Sequence, residues 1–135
     1  MKALICILIP ILGLINYHCE KEKSKDSSAD IFGKWIWIKS CGGFAGGCQT
    51  PKSTGRKIVI EFTKDSVYRE YKNDTLLIET TFTVKYGKTI YSQNLAQLIE
   101  RKNMMLESFS FVTGDTLTLN DECFDCYGST YVRIK

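Results

Sequence analysis

The octapeptide "FGKWIWIK", residues 32–39, sets Trp35 and Trp37 on one face of an extended chain and Ile36 and Ile38 on the other. Apolar residues at every second position are the period of a β-strand and do not fit the 3.6-residue spacing of a helix. The same short period recurs downstream. "KIVIEF" (57–62) stops at the turn signal "TKDS", and 67–71 returns. "KND" then leads into 75–84, a run rich in β-branched residues,. "KYGK" reads as a turn into a strand at 89–92. The segment 93–103 is less regular, and "NLAQLIERKN" reads as a helical turn or two. Residues 104–112 alternate again, "TGD" signals a hairpin, and "TLTL" and "STYVRI" supply the seventh and eighth strands,.

Eight strands joined by hairpin-length connections form a meander, whose two outer strands expose unpaired backbone groups. Closure into an up-and-down barrel removes both edges and obliges the first strand to pair with the last. The expected fold is therefore all-β: an eight-stranded antiparallel β-barrel over residues 32–135, with a two-sheet sandwich as the alternative. Met104, Met105, Phe109 and Phe111 are expected in the core.

Upstream of the barrel the text changes twice. Met1 and Lys2 precede an apolar run, Ala3 to Ile15, which is the length of a signal peptide and too short for a membrane span,. After Cys19 comes "EKEKSKDSSAD", charged and Ser-rich, with no apolar side chain larger than alanine, so 19–31 is read as a flexible linker,. An apolar signal (1–18), then a cysteine, then a polar tether resembles a bacterial lipoprotein precursor. The resemblance implies that Cys19 is acylated, becomes the mature N-terminus and anchors the chain in a cell-envelope membrane. A soluble secreted or periplasmic product is the alternative.

A second resemblance rests on the Gly-x-Trp of Gly33 to Trp35. It is similar to the start of the first strand in lipocalin and calycin barrels, and implies that Trp35 closes the barrel base with Arg133 packing across it. Together with "FTKDSVYREYKND" and "LTLNDECFDCYGSTYVRI", the chain resembles small lipocalin-like lipoproteins of bacterial envelopes. That likeness implies a fold and a location.

Composition narrows the chemistry. The formal charge is +3 for the whole chain, and +2 once residues 1–18 with their single lysine are set aside. With no basic run, nucleic acid is a poor partner. The one histidine, His18, falls inside the signal, so the mature chain holds no imidazole for triad catalysis or His-ligated metal,. No cofactor or metal is expected. Glu61, Glu70 and Glu79 are expected to point outward into solvent, and Asp121, Glu122 and Asp125 to serve as turn residues.

Cys41, Cys48, Cys123 and Cys126 form an even set in an exported domain, which favours disulfides,. A four-cysteine zinc site and a redox "CFDC" are the competing readings. Bridges that close long loops constrain the unfolded chain most, about 4 kcal/mol each in the chain-entropy model. In a closed barrel Cys41 lies beside the entrance to the last strand. Crossed pairing is therefore expected, Cys41 joining Cys123 or Cys126. Between Cys41 and Cys48 stand Gly42, Gly43, Phe44, Gly46 and Gly47, read as a stapled lid over a barrel mouth with Phe44 as its apolar anchor. A phosphate loop opens a helix and supplies a lysine, whereas "GGFAGGCQTPKSTG" reads as leading into another strand and contains Pro51, which argues against a helix,. The functional expectation is a non-catalytic, lipid-anchored barrel binding a small apolar ligand. The alternative is a protein-binding module, such as an envelope protease or lysozyme inhibitor, that presents the Cys-Gly loop.

Overall fold

The computed structural model describes residues 30–135. The expected signal segment, the expected acylation at Cys19 and all of the expected linker except Asp30 and Ile31 lie outside the described residues. The elements in chain order are β1 (Gly33–Gly42), β2 (Gly47–Gln49), the one-turn helix α1 (Pro51–Thr54), β3 (Ile58–Phe62), β4 (Val67–Lys72), β5 (Thr75–Thr89), β6 (Ser92–Arg101), β7 (Ser108–Thr113), β8 (Thr116–Asp121) and β9 (Tyr127–Arg133). Each strand from β3 to β9 pairs antiparallel with its sequence neighbour, β1 pairs with β3, and β1 pairs with β9. The result is a closed eight-stranded up-and-down barrel, with β2 as a short extra strand against the end of β1.

The alternation in 32–39 has the expected consequence inside this barrel. Trp35 and Trp37 are buried, with Ile60, Phe62, Tyr68, Phe82, Ile99, Leu117 and Leu119 on the facing walls. One end, where β1 begins and β9 finishes, is sealed. Trp35 Nε1 donates to the Ile31 carbonyl at 2.7 Å, and the Arg133 guanidinium lies 4.0 Å from the centre of the Trp35 ring. Arg133 Nη1 and Nη2 also donate to the carbonyls of Phe32 and Asp30, at 2.7 and 2.6 Å. Gly33 has φ +118°, which favours glycine, and a Cβ there would press on the guanidinium, 3.1 Å from Arg133 Nη1,. Ile31, assigned by its polar neighbours to the linker, is instead a member of the core cluster.

Several strand boundaries differ from the sequence expectation. "KYGK" is not a turn, because β5 runs through it to Thr89. Gly87 faces Ala96 and leaves room for the side chain of Leu98, whose Cδ1 would be 2.9 Å from a Cβ at Gly87. The residues 89–92 form the actual turn. The Thr89 hydroxyl accepts from the backbone N–H groups of Tyr91 and Ser92 at 3.1 and 3.0 Å, a side-chain-closed turn that hydrophobic periodicity does not report. "NLAQLIER" is strand β6 rather than a helical turn, its short local preference overruled by pairing with β5. Strand β7 starts at Ser108, which leaves Met104–Glu107 in a loop. Met104 still packs on the core, whereas Met105 and Phe111 are exposed.

The expected crossed disulfides are also overturned: the bridges are Cys41–Cys48 and Cys123–Cys126. Cys41 and Cys48 are direct partners in the β1–β2 ladder, their Cα atoms 4.1 Å apart. Across the barrel seam the partner of Cys41 is Gly128, not a cysteine. Adjacency in the hairpin decides the pairing, and the larger unfolded-state constraint of long loops gives no geometry to realise it.

Candidate functional site

Two of the concavities bear on function, one on the outer wall and one at the open end. The first follows from a short ladder. Strands β6 and β7 pair only through Gln97–Ser110, Leu98–Phe109 and Ile99–Ser108. Beyond Gln97 the β5–β6 ribbon leaves the wall, and its tip lies against the β8–β9 loop. There Ile90 N–H donates to Glu122 Oε2 at 2.9 Å, and the Tyr91 hydroxyl donates to the Cys123 carbonyl. The Tyr91 ring packs on Phe109 and Phe124 at centroid distances of 5.7 and 6.4 Å.

Between this ribbon and the wall lies a groove of about 650 Å³, lined by Tyr86, Tyr91, Leu95, Phe109, Phe111 and Val112 among others. Its wall is mainly the outer face of β7 and β8, and where β6 parts from β7 the inward-facing Ser110 and Val112 border it as well. The alternate residues Ser108, Ser110, Leu117 and Leu119 point inward and are buried, while Phe109, Phe111, Thr118 and Asn120 face the groove. Leu95 and Phe111 are 71% and 64% exposed. The barrel interior, by contrast, is filled by aromatic and aliphatic side chains at its sealed end.

The second concavity is the open mouth. Trp37, Ser40, Ile58, Glu70, Ser129 and Tyr131 line it from β1, β3, β4 and β9, and Gln49 and Arg56 reach it from the β1–β3 connection. It is small, about 230 Å³. Trp37 Nε1 donates to Ser40 Oγ at 2.8 Å, and Ser40 Oγ lies 2.7 Å from Ser129 Oγ. Tyr68 donates its hydroxyl proton to Glu70 Oε2 at 2.9 Å. Glu70 thus turns inward and does not share the solvated face of Glu61 and Glu79, which pair with Arg69 on the outside. Its position two residues from the buried Tyr68 in "VYREYK" is the signal that the interior face continues through it. Burial, followed by the nearby Glu70 carboxylate, pushes the Tyr131 phenol up to about 12 and the Tyr68 phenol higher still, so both stay neutral donors,.

Deeper in the barrel Arg101 is buried. Its Nη2 donates to Ser108 Oγ at 2.6 Å, Ser108 donates to Asp121 Oδ1 at 2.7 Å, and Arg101 lies 3.7 Å from Asp121. Its guanidinium also stands 5.3 Å from the centre of the Tyr68 ring. Asp121, expected in a turn, is the counter-charge at the end of β8. The three groups satisfy one another only in part, since Arg101 Nε is buried without a hydrogen-bond partner, and removing one member leaves the buried charge with still less compensation.

The glycine loop does not fold over the mouth. Phe44 is 97% exposed and anchors nothing, while Gly46 and Gly47 border open space. Gly42 and Gly43 are different: both have positive φ, and a Cβ on Gly42 would collide with the Cys126 carbonyl at 2.4 Å. Gly43 N–H donates to that carbonyl at 3.3 Å, which ties the two disulfide loops together. Residue Pro51, which argued against a helix in the sequence, opens α1 at its first turn, where proline is tolerated,. Thr50 and Ser53 form a capping box and Gly55 closes the turn in the left-handed region,. This well-capped turn is what delivers Arg56 to the mouth.

Among the described residues no group of three or more His, Cys, Asp or Glu side chains could hold a metal, and no helix is long and apolar enough to cross a membrane. No protein-family model, curated protein or solved structure matches the chain.

Proposed function

We propose that this protein is a lipid-anchored, lipocalin-like barrel of the bacterial cell envelope that binds a small apolar ligand and does no covalent chemistry. The observation that carries the binding reading is the outer groove. It offers about 650 Å³ beside Tyr86, Tyr91, Leu95, Phe109 and Phe111, within the size range of small-molecule sites, whereas the interior is occupied by the protein's own side chains. The non-catalytic reading is supported by the lack of histidine after residue 18, since the serines and threonines then have no imidazole base,. Envelope location is supported by the signal-like 1–18, by Cys19 and by two disulfides, which persist in oxidising compartments,.

The test is native mass spectrometry of the detergent-extracted full-length product, followed by titration with an apolar fluorophore such as N-phenyl-1-naphthylamine. The expected result is saturable binding that Phe111→Asp and Leu95→Asp each weaken at least tenfold. Both side chains are exposed, so these variants keep the fold. Absence of saturable binding, or binding indifferent to both substitutions, overturns the groove. Intact mass decides the anchor: a triacylated Cys19 N-terminus supports it, and an unmodified or differently cleaved terminus removes it.

One observation favours a second reading, a partner-binding module. Phe44 and Phe124 project from the two disulfide loops at the open end, which the Gly43 N–H ties together through the Cys126 carbonyl, and each is more than three-quarters exposed. Single exposed apolar residues are ordinary, but two adjoining loop tips suit a protein surface.

A further inference from the structure

The barrel mouth holds one cation and one anion that do not neutralise each other. Arg56 and Glu70 border the same cavity of about 230 Å³, yet neither forms an ion pair among the described residues. This contrasts with the outer wall, where Glu61 and Glu79 share Arg69 and Lys85 bridges Glu100 and Glu107. Each mouth charge is held in place by a neutral partner instead. Arg56 Nη2 donates to Gln49 Oε1 at 2.7 Å and its guanidinium stands 5.9 Å from the centre of the Trp37 ring, while Glu70 accepts from Tyr68. Positioning by neutral groups leaves the remaining donors of the guanidinium fork and the second carboxylate oxygen available.

We propose that the mouth binds a small zwitterion of the free α-amino acid class, its carboxylate on Arg56 and its ammonium on Glu70, with Trp37 and Tyr131 flanking the rest. The cavity is below the range of drug-sized sites, which excludes large apolar ligands and suits a molecule of a few heavy atoms. Opposite charges on one ligand satisfy both side chains at once, whereas a ligand of one sign leaves the other uncompensated. The inference also gives the Cys-Gly segment a purpose. The Cys41–Cys48 staple and the capped α1 fix the two ends of the connection that brings Gln49 and Arg56 over the opening.

The experiment uses Trp fluorescence of the full mature protein, titrated with glycine, alanine, leucine and phenylalanine, and with their N-acetyl and amide derivatives. Trp37 lines the site and Trp35 sits at the sealed end as an internal reference. The expected result is a saturable change with one or more zwitterions, weakened at least tenfold by masking either charge. Glu70→Gln then lets the N-acetyl form bind as well as its parent, and Arg56→Met does the same for the amide, a change in selectivity that a merely structural role does not produce. Arg56 lies in a connecting loop, so its variant keeps the fold if Glu70→Gln does not. Phe111→Asp, in the outer groove, leaves the response unchanged, which separates this site from the apolar one. No saturable response to any of the four zwitterions, or equal responses to the masked derivatives, overturns the proposal.

Discussion

Arg133 illustrates how one side chain near the C-terminus holds the sealed end. It stacks on Trp35 and donates to two carbonyls of the entering chain. Methionine at this position keeps much of the stem but loses the cation and both donors. Arg133→Met is therefore expected to cost about 2 kcal/mol, from a cation–π contact and charged hydrogen bonds partly replaced by water. The check is urea denaturation followed by far-ultraviolet circular dichroism, with a lower midpoint and an unchanged slope. Tyr68 and Tyr131 set a different limit. Burial first, and then Glu70, raises both phenols above their ordinary 10, Tyr131 to about 12. Above pH 10 the unfolded chain loses protons that the folded chain keeps, so stability is intact below pH 10 and falls as pH rises. The expected slope is about 1.4 kcal/mol per pH unit for each phenol. Denaturant midpoints measured from pH 9 to 11.5 test this, and Tyr131→Phe is expected to halve the loss. An alkaline limb unaffected by that substitution would assign the loss to other groups.

The elements that were legible from sequence are those with a clean two-residue period and a turn of known chemistry at each end. β1, β3, β4 and β8 fall within a few residues of expectation for that reason. The β4–β5 turn is likewise explicit, since Asn73 and Asp74 both take positive φ, as a tight hairpin demands,. The β5–β6 ribbon was not legible, because a glycine inside a strand and a threonine-closed turn reverse the usual punctuation. The outer groove depends on that ribbon, so it was illegible too: which strands stop pairing is a tertiary fact. The disulfides failed for another reason, in that loop-closure entropy ranks pairings without knowing which sulfurs face each other. Each short bridge contributes about 2 kcal/mol by chain entropy, so Cys41→Ser with Cys48→Ser is expected to lower stability by that amount and leave the barrel closed. Non-reducing peptide mapping is expected to recover 41 with 48 and 123 with 126. A peptide joining 41 to 123 or 126 would refute the local arrangement.

Closure is the property that the whole molecule shares, and it explains why so short a chain can carry two recessed surfaces. A filled interior gives a rigid wall, so the grooves at its rim and flank need no mobile parts. The barrel itself was legible because edge avoidance forces the first and last strands together, and the structure aligns Trp35 with Arg133, Ile36 with Val132 and Trp37 with Tyr131. The mouth was only half legible. Trp37 announces its face by alternation, but Glu70 and Arg56 meet there through barrel curvature and a capped turn that no local pattern displays. The seam also gives the sharpest stability test. Strand β9 is the neighbour of both β1 and β8, so its removal creates two edges and exposes Trp35 and Trp37 together. A chain ending at Gly128 is therefore expected to lose cooperative unfolding altogether, because the deficit includes two buried indoles and two ladders and exceeds the marginal stability of a domain this size. Supplying 129–135 as a separate peptide is expected to restore the cooperative transition, with Trp emission moving back to shorter wavelength. If the truncated chain melts cooperatively on its own, the sheet is open in solution and the sealed barrel is wrong.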